Sequence, residues 1–331
     1  MKNLSANSHV YVGVDIGGTK IAAGLVDEGG RILTQMRMPM MANADAAAGV
    51  DRVKLAIDAT FADADKRSIN KNSVVGIGIC APGPLDPVKG VVLNPPNLPC
   101  WRNFPLASEI SKSYGIPVVL DNDANAAALA ESQWGAGRGY RNIFYATIGT
   151  GIGTGIVFDG RIYHGRTGGA AEGGHMTIDY HGPRCACGKL GCIEVLAAGP
   201  AIARRARTKL AGASPNSSTI LDLAGGNVDA INSEMVGKAY AAGDRIAKEV
   251  LQETIELLTV WLGNIIDLLE PDVMIVGGGV AAMLSPFFNE VKRLLPQNCV
   301  NSLCQEIPLV MAHYRADAGI AGGAALIAFQ K

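Results

Sequence analysis

The sequence lacks a basic surplus, a long apolar run and an apolar leader. Lysine and arginine number 29 against 30 acidic residues, so the basic excess typical of nucleic-acid-binding proteins is missing. No run of about 18 apolar residues is present, so no membrane-spanning helix is expected. Residues 1–14 contain neither an apolar core nor a small-residue cleavage site, so no secretory signal is expected. These absences predict a cytoplasmic protein that binds neither membrane nor nucleic acid.

Cysteine is sparse, and its count is odd. Seven cysteines without a secretory signal argue against a disulfide framework and for reduced thiols. Three of them fall within residues 185–192, and the other four are scattered. The scattered cysteines are expected to be small buried apolar side chains.

The length and the hydrophobic pattern predict an α/β protein. A chain of 331 residues favours two domains, and 48 % hydrophobic residues allow a large core. The long helical pattern at 234–269 is expected to break near Gly243 and Gly263. Strands and helices alternate along the chain, which predicts the α/β class. Strands are predicted at 10–15, 21–27, 31–37, 74–79, 116–121 and 272–280, and helices at 44–63, 124–133, 234–269 and 317–329.

Glycine is abundant, at 41 residues, and part of it lies in an internal repeat. Residues 12–32 and 144–162 share the order strand, glycine turn, strand, second turn, Arg-Ile. Two such copies suggest two related halves whose glycine turns hold one polyphosphate. Chance similarity of two hairpins is the alternative.

The first glycine motif is Asp15-Ile16-Gly17-Gly18-Thr19-Lys20. Glycines let backbone N–H groups approach phosphate oxygens, and such groups form an anion-binding nest. Asp15 could orient a magnesium ion through water. An ordinary hairpin is the alternative.

Two further glycine motifs could hold other parts of a nucleotide. The segment Gly149-Thr150-Gly151-Ile152-Gly153-Thr154-Gly155 has glycine at every second position, which predicts a phosphate cradle or close packing of a neighbouring strand. The run Gly277-Gly278-Gly279 follows a buried strand and could admit adenosine or simply form a turn.

A polar cluster, Asp121-Asn122-Asp123, ends a predicted strand and precedes an Ala-Leu helix. Ligands of α/β proteins bind at the carboxyl ends of strands. Helix capping explains one of these residues. A remaining carboxylate could take the proton of a sugar hydroxyl, as a kinase catalytic aspartate does.

A cysteine cluster carries the most specific signal. Cys185, Cys187 and Cys192 follow the pattern C-x-C-G-x-x-G-C-x-E, and His175 precedes them by ten residues. Three thiolates and one imidazole would close a tetrahedral structural zinc site. Free core cysteines are the alternative. Glu172 and Glu194 flank the cluster and would be fixed by the metal.

These motifs, in order from about Gly13 to the C-terminus, resemble those of the ROK family (repressors, open reading frames and kinases). The resemblance implies an actin-like ATPase fold, which is α/β with two ribonuclease H-like domains and an active-site cleft between them. Residues 1–121 and a C-terminal helix at about 316–331 would form the first domain, and 122–315 the second. A homodimer or homotetramer is also implied.

The resemblance assigns a role to each motif. Gly13–Lys20 and Gly149–Ile156 would be the phosphate loops for ATP and Mg²⁺, and Asp123 would be the catalytic base. The hexose contacts would be Asn122, Asp123, Glu172, His175 and Glu194. The ligands of the structural zinc would be His175, Cys185, Cys187 and Cys192.

The sequence departs from the family in one motif. The usual G-E-I-G-H is Ala171-Glu172-Gly173-Gly174-His175 here, which keeps the glutamate and the histidine. Family regulators carry a DNA-binding module before DIGGTK, and the dozen or so residues here are too few for it.

The expected activity is ATP-dependent phosphorylation of the 6-hydroxyl of glucose. N-acetylmannosamine, N-acetylglucosamine and other hexoses are alternatives, and a non-catalytic sugar-sensing regulator is a different class. Since both glycine turns are distant in sequence from the cysteines, metal loss is expected to weaken sugar binding more than ATP binding.

Overall fold

The computed structural model describes residues 9–67, 69–214 and 217–329. Backbone contacts divide them into two compact units. The first comprises the described residues of 1–143, 155–171 and 312–331, and the second those of 144–154 and 172–311. None of the helices in the described ranges is both long enough and apolar enough to cross a bilayer.

Strands of the described ranges form two five-stranded sheets. In chain order they are β1 (Val10–Ile16), β2 (Lys20–Asp27), β3 (Met36–Pro39), β4 (Val74–Ala81), β5 (Leu85–Asp86), β6 (Val91–Val92), β7 (Val118–Asn122), β8 (Asn142–Ile148), β9 (Ile152–Phe158), β10 (Arg161–Ile162), β11 (Val273–Gly277) and β12 (Leu309–Met311). The first sheet has the order β3-β2-β1-β4-β7, the second has β10-β9-β8-β11-β12, and β5 pairs with β6. In the first sheet β1 and β2 are antiparallel, whereas β1, β4 and β7 are parallel.

Helices alternate with these strands and confirm the α/β class. They are α1 (Ala46–Lys66), α2 (Leu106–Tyr114), α3 (Asp123–Gln133), α4 (Ile193–Ala197), α5 (Gly199–Leu210), α6 (Thr219–Leu223), α7 (Ser233–Ala241), α8 (Arg245–Leu269), α9 (Gly279–Leu284), α10 (Phe288–Leu294) and α11 (Ala318–Ala328).

Three sequence expectations about element boundaries need correction. The strand expected at 272–280 is β11, which ends at Gly277, and α9 begins at Gly279. The strand expected at 31–37 is β3, which begins only at Met36. The break expected at Gly243 is present, between α7 and α8, but the one expected at Gly263 is wrong. A Cβ atom on Gly263 would lie 2.3 Å from the Asn298 carbonyl oxygen, so this glycine serves close packing within a continuous helix.

Two glycines let α11 approach the first sheet. A Cβ atom on Gly13 would lie 1.8 Å from the Ile320 carbonyl oxygen, and one on Gly78 would lie 1.7 Å from that of Gly323. Buried side chains of α3 and α11 also share one cluster. The compact units therefore differ from the expected division after residue 121, because α3 stays with the first unit through its packing on α11.

Gly78→Ala is expected to lower the free energy of unfolding by roughly 1–3 kcal/mol, since the added methyl group overlaps a backbone carbonyl of α11 that cannot rotate away. The measurement is urea unfolding at equilibrium. Gly29→Ala is the matched control, because its Cβ atom would meet only the Asp27 Oδ1 at 3.4 Å. Equal midpoints for the two variants would contradict this account of α11 docking.

Candidate functional site

The first glycine turn joins β1 to β2, as expected from the sequence. The Gly17 N–H donates a 2.8 Å hydrogen bond to the Lys20 carbonyl oxygen. A Cβ atom on Gly18 would lie 2.8 Å from the Asn97 carbonyl oxygen, so the approach of that segment requires glycine. Thr19 and Lys20 are exposed. An exposed glycine turn between strands can present backbone N–H groups to a phosphate.

Asp15 lies near the end of β1, against the start of α11. A Cβ atom on Gly319 would lie 2.2 Å from the Asp15 Cγ, and the Cys80 Sγ lies 3.7 Å from Asp15 Oδ1. Burial raises the pKa of Asp15, while the Cys80 thiol and the Arg37 guanidinium act in the opposite direction. Gly13 lies two residues earlier and faces α11, so helix packing accounts for its missing side chain. Asp15 is thus a constrained carboxylate that could hold a hydrated magnesium ion.

Two residues of the polar cluster at the end of β7 have different roles: Asn122 caps a helix, and Asp123 is an exposed carboxylate. Asn122 is the N-cap of α3, and its Oδ1 accepts hydrogen bonds from the N–H groups of Ala124 at 2.9 Å and Asn125 at 3.3 Å. Asp123, the first residue of α3, is exposed, and its Oδ1 accepts from the Ala124 N–H at 2.8 Å. A helix N-terminus stabilises negative charge. Asp123 is therefore an oriented carboxylate that can accept a proton from a hydroxyl group placed beside it.

Asp121 is a buried carboxylate whose partners the sequence does not reveal. Its Oδ1 accepts hydrogen bonds from the Asn122 N–H at 2.6 Å and the Asn125 Nδ2 at 3.2 Å. Its Oδ2 lies 2.5 Å from the Nε2 of His164, which is 43 residues further along the chain. The hydrogen bond to Asp121 raises the pKa of His164, although burial opposes that shift. No motif marks His164, so sequence reasoning missed it.

The second glycine turn joins β8 to β9 and is bonded to the segment after the cysteines. The Gly149 N–H donates a 2.9 Å hydrogen bond to the Gly151 carbonyl oxygen. The Ile152 N–H donates a 2.9 Å hydrogen bond to the Glu194 Oε2. A Cβ atom on Gly151 would lie 2.6 Å from the same carboxylate oxygen. Glu194 is therefore a structural partner of this turn.

The segment that precedes the cysteines also contacts the second glycine motif. The Gly173 N–H donates a 2.8 Å hydrogen bond to the Thr154 Oγ1, and a Cβ atom on Gly174 would lie 1.9 Å from the Ile152 carbonyl oxygen. The Gly173 carbonyl oxygen accepts a 3.0 Å hydrogen bond from the buried Trp261 Nε1. This turn is therefore tethered to the cysteine region, contrary to the expectation from the sequence, because distance along the chain does not measure distance in the fold.

Two other glycines of the predicted motifs serve packing. A Cβ atom on Gly155 would lie 2.7 Å from a carbonyl oxygen of α3. Gly278 has a φ of +91°, and its Cβ atom would lie 2.3 Å from the Ile148 carbonyl oxygen. Gly277 ends β11 and Gly279 begins α9. A nucleotide contact at this run stays a prediction.

A cavity of about 350 Å³ lies beside the second glycine turn. The Gly199 N–H donates a 2.8 Å hydrogen bond to the Gly149 carbonyl oxygen, which joins the turn to the start of α5. Arg207 is fixed in the wall by a 2.6 Å hydrogen bond from its Nη2 to the Ile231 carbonyl oxygen. The cavity could receive the nucleoside of a phosphate-bound nucleotide. Its walls include Gly149, Thr150, Gly199, Arg207, Asn232 and Ser233, of which the sequence marked only the first two.

The structure brings His175, Cys185, Cys187 and Cys192 together, with their ligand atoms all within 4.8 Å of one another. The Sγ atoms of Cys187 and Cys192 are 3.7 Å apart, and the Cys185 Sγ is 3.6 Å from the His175 Nδ1. A tetrahedron with Zn–S of about 2.3 Å and Zn–N of about 2.0 Å has S–S and S–N edges of about 3.8 and 3.5 Å. The donor set therefore fits zinc in ligand chemistry, and these two distances match the edges of its tetrahedron.

Two glycines close the cysteine loop. The Cys185 N–H donates a 2.8 Å hydrogen bond to the Lys189 carbonyl oxygen, and Gly188 between them has a φ of +93°. Gly191 has a φ of +58°, and its Cβ atom would lie 1.5 Å from the Asp179 carbonyl oxygen. Both positions need a backbone conformation that suits glycine. They turn the chain so that Cys192 returns to the other two thiols.

The Glu172 segment contains the positions at which the sequence departs from the usual family motif. Glu172 is exposed and precedes a 3₁₀ turn at Gly173–His175. Ala171 has a φ of +61°, a left-handed conformation that glycine adopts easily and that costs other residues roughly 1–2 kcal/mol. Ala171 therefore adopts this conformation at the position where the usual pattern has glycine.

Comparison with known proteins finds relatives over most of the chain. The pattern that defines the ROK family matches residues 11–330. The glucokinase of Thermotoga maritima is 32% identical over 316 residues, which cover 96% of each chain. The glucokinase of Streptomyces coelicolor is 35% identical over 288 residues, which cover 86% of this chain and 87% of that protein.

A solved structure extends the likeness to the fold. The ROK family glucokinase of Streptomyces griseus, in complex with glucose and AMPPNP, has 34% sequence identity and a TM-score of 0.79, covering 96% of this chain and 98% of that one. The expected actin-like ATPase fold is thereby confirmed. Because the family pattern spans nearly the whole chain and these relatives exceed 30% identity over most of it, this chain belongs to the ROK family.

Proposed function

We propose that this protein is an ATP-dependent hexose kinase that transfers the γ-phosphate of ATP to the 6-hydroxyl of glucose or a closely related hexose. The observation that carries the proposal is Asp123, an exposed carboxylate oriented at the N-terminus of α3 beside the capping residue Asn122. Membership of the ROK family and similarity to glucokinases over most of the chain support the kinase activity.

Asp123 acts as the general base in this proposal. As the 6-hydroxyl oxygen forms its bond to the γ-phosphorus, its proton passes to the Asp123 carboxylate, and ADP leaves with the electrons of the broken phosphorus–oxygen bond. Positioning and charge stabilisation supply most of the rate enhancement in phosphoryl transfer.

The remaining sugar contacts come from residues around the cysteine cluster. His175 turns its Nδ1 toward Cys185, so its Nε2 is the atom that would reach a sugar hydroxyl. Glu194 gives its Oε2 to the Ile152 N–H, so its Oε1 would accept a hydroxyl hydrogen bond. Glu172 is exposed and would do the same.

The phosphates would be bound by backbone N–H groups of the two glycine turns other than those of Gly17 and Gly149, which donate to carbonyl oxygens within the turns. Magnesium, when bound with the nucleotide, neutralises phosphate charge, and Asp15 would hold it through water. The nucleoside would lie in the cavity beside Arg207 and Asn232.

We infer that the cysteine cluster holds a structural zinc ion. Four protein ligands fill a tetrahedral site, which leaves no position for a catalytic water. The ion would fix the loop from His175 to Cys192, and Glu194 follows that loop by two residues. Its role would therefore be to hold Glu194 in place.

Glucose is expected to give the highest kcat/KM among common hexoses. A site built to hydrogen-bond each hydroxyl rejects a sugar that lacks or displaces one, because buried polar groups of the protein are left unpaired. The measurement is ADP release coupled to a dehydrogenase with glucose, mannose, fructose, N-acetylglucosamine and N-acetylmannosamine.

The control for this panel is ATP hydrolysis without sugar. A higher kcat/KM for an N-acetylated sugar would replace glucose as the substrate while keeping the kinase reaction. Tight sugar binding with no phosphorylation of any sugar would favour the sugar-sensing regulator instead.

We also propose that the protein assembles as a homodimer or homotetramer, as the family resemblance implies. Size-exclusion chromatography with light scattering gives the mass directly. A monomer of 34.4 kDa at micromolar concentration would contradict this assembly.

A further inference from the structure

We propose that His164 is a positioning residue for phosphoryl transfer, because its bond to Asp121 holds the β7–α3 junction that carries Asn122 and Asp123. The inference rests on the proposed function, since it takes Asp123 as the base. The added element is His164, which no sequence motif marks and which would act on Asp123 through the backbone of the junction.

Asp121 connects to both sides of the base. Its Oδ1 bonds to the N–H of Asn122, directly before Asp123, and to the side chain of Asn125, in the first turn of α3. Asp121 is only 3% exposed, and a buried carboxylate without a partner is costly. His164 is the partner of this carboxylate, and the contact is an ion pair when the imidazole is protonated. A rotation of Asp121 would therefore change the backbone that orients Asp123.

His164 is itself held by its loop. Its carbonyl oxygen accepts hydrogen bonds from the Gly168 N–H at 3.1 Å and the Ala170 N–H at 3.2 Å. Gly165 and Gly168 have φ values of +66° and +90°, which close this loop tightly. A Cβ atom on Gly168 would lie 2.8 Å from the Pro87 Cδ, so the loop packs against the segment after β5. His164 is thus a fixed anchor for Asp121.

The Asp121–His164 pair also predicts a pH dependence of the reaction. Asp121 of β7 is the charged group that acts on His164 and raises its pKa. On β4, the thiol of Cys80 interacts electrostatically with both Asp121 and Asp123. Burial raises the pKa of this thiol well above its ordinary value, so the thiol stays neutral. The ion pair is complete below the unfolded histidine pKa of about 6.5 and is lost as pH rises through the higher folded value. Loss of the ion pair is expected to lower kcat at high pH, and this fall is the alkaline limb of the pH profile.

The test compares His164→Ala and His164→Gln by kcat, KM and pH profile, using the sugar that the wild-type protein phosphorylates best. His164→Ala is expected to lower kcat by roughly 10- to 100-fold, the effect of a small misplacement of a catalytic group, with KM for ATP little changed. His164→Gln keeps a hydrogen-bond donor but cannot titrate. Because glutamine resembles the uncharged histidine, the kcat of this variant is expected to equal, at every pH, the lower value that the wild-type protein approaches at alkaline pH, so its profile lacks the alkaline limb.

The control is His313→Gln, a change at an exposed histidine, which should leave both kcat and the profile as in wild type. A cycle with Asp121→Asn tests the pair itself: the two losses should be strongly non-additive if His164 acts through Asp121. If His164→Ala does not fold, the inference is tested instead by the pH profile of His164→Gln and by the double-mutant cycle of His164→Gln with Asp121→Asn.

Three results would overturn the inference: a wild-type kcat for His164→Ala with only a lower Tm, an unchanged alkaline limb in His164→Gln, or additive losses in the cycle. A wild-type protein that phosphorylates no sugar would instead refute the proposed function, so the two failures are distinguishable.

Discussion

Replacing Asp123 by asparagine is expected to lower kcat by roughly 10²–10⁴-fold, the contribution of a positioned general base. The amide cannot accept the hydroxyl proton. Its Oδ1 can still accept the hydrogen bond from the Ala124 N–H, so the start of α3 should be retained. Hexose affinity, measured by calorimetry without nucleotide, should therefore change little while turnover is lost.

Asp45→Asn is the matched control for this experiment. Asp45 is the N-cap of α1, and its Oδ1 accepts a 2.8 Å hydrogen bond from the Ala48 N–H. The same chemical change at this other helix N-terminus should leave kcat near the wild-type value. If Asp123→Asn keeps more than about a tenth of wild-type kcat, Asp123 is not the base.

Zinc removal is expected to have the second large effect. The purified protein should contain one zinc per chain, and Cys187→Ser should lose it. Structural zinc contributes on the order of 10 kcal/mol to the folding of isolated zinc-finger peptides. A free-energy loss of about 1.4 kcal/mol, a seventh of that zinc contribution, changes a binding constant tenfold. Hexose affinity should therefore fall by at least about tenfold, because Glu194 follows the last cysteine ligand by two residues.

The contacts of the second glycine turn predict that zinc loss also changes nucleotide affinity. Glu194 accepts the Ile152 N–H of the second glycine turn, and Gly174 packs on the Ile152 carbonyl oxygen. A loosened cysteine region should therefore weaken nucleotide binding as well, whereas the sequence alone predicted a larger loss of hexose binding than of ATP binding. Metal analysis and separate titrations with hexose and a non-hydrolysable ATP analogue measure both effects.

Cys299→Ser is the control, since Cys299 lies outside the cluster and is only partly buried. Fully active wild-type protein without zinc would contradict the metal site. An unchanged nucleotide affinity in metal-free Cys187→Ser would show that the Glu194–Ile152 bond does not transmit the loss.

The sequence by itself determined the parts of this protein that depend on short chain segments. Its glycine turns, strand alternation and helix caps follow from backbone preferences a few residues long. The cysteine loop is of this kind, because the spacing of Cys185, Cys187 and Cys192 and the glycines between them already bring the thiols together. The family could be recognised for the same reason, since its motifs are local patterns in a fixed order.

Tertiary structure alone decided which distant residues share a contact. Gly13 and Gly78 are needed because α11, more than 200 residues later in the chain, docks on β1 and β4. The Asp121–His164 pair and the Glu194–Ile152 bond join segments 43 and 42 residues apart. No spacing rule encodes such pairs, because they depend on how whole helices and sheets pack once their apolar faces are buried.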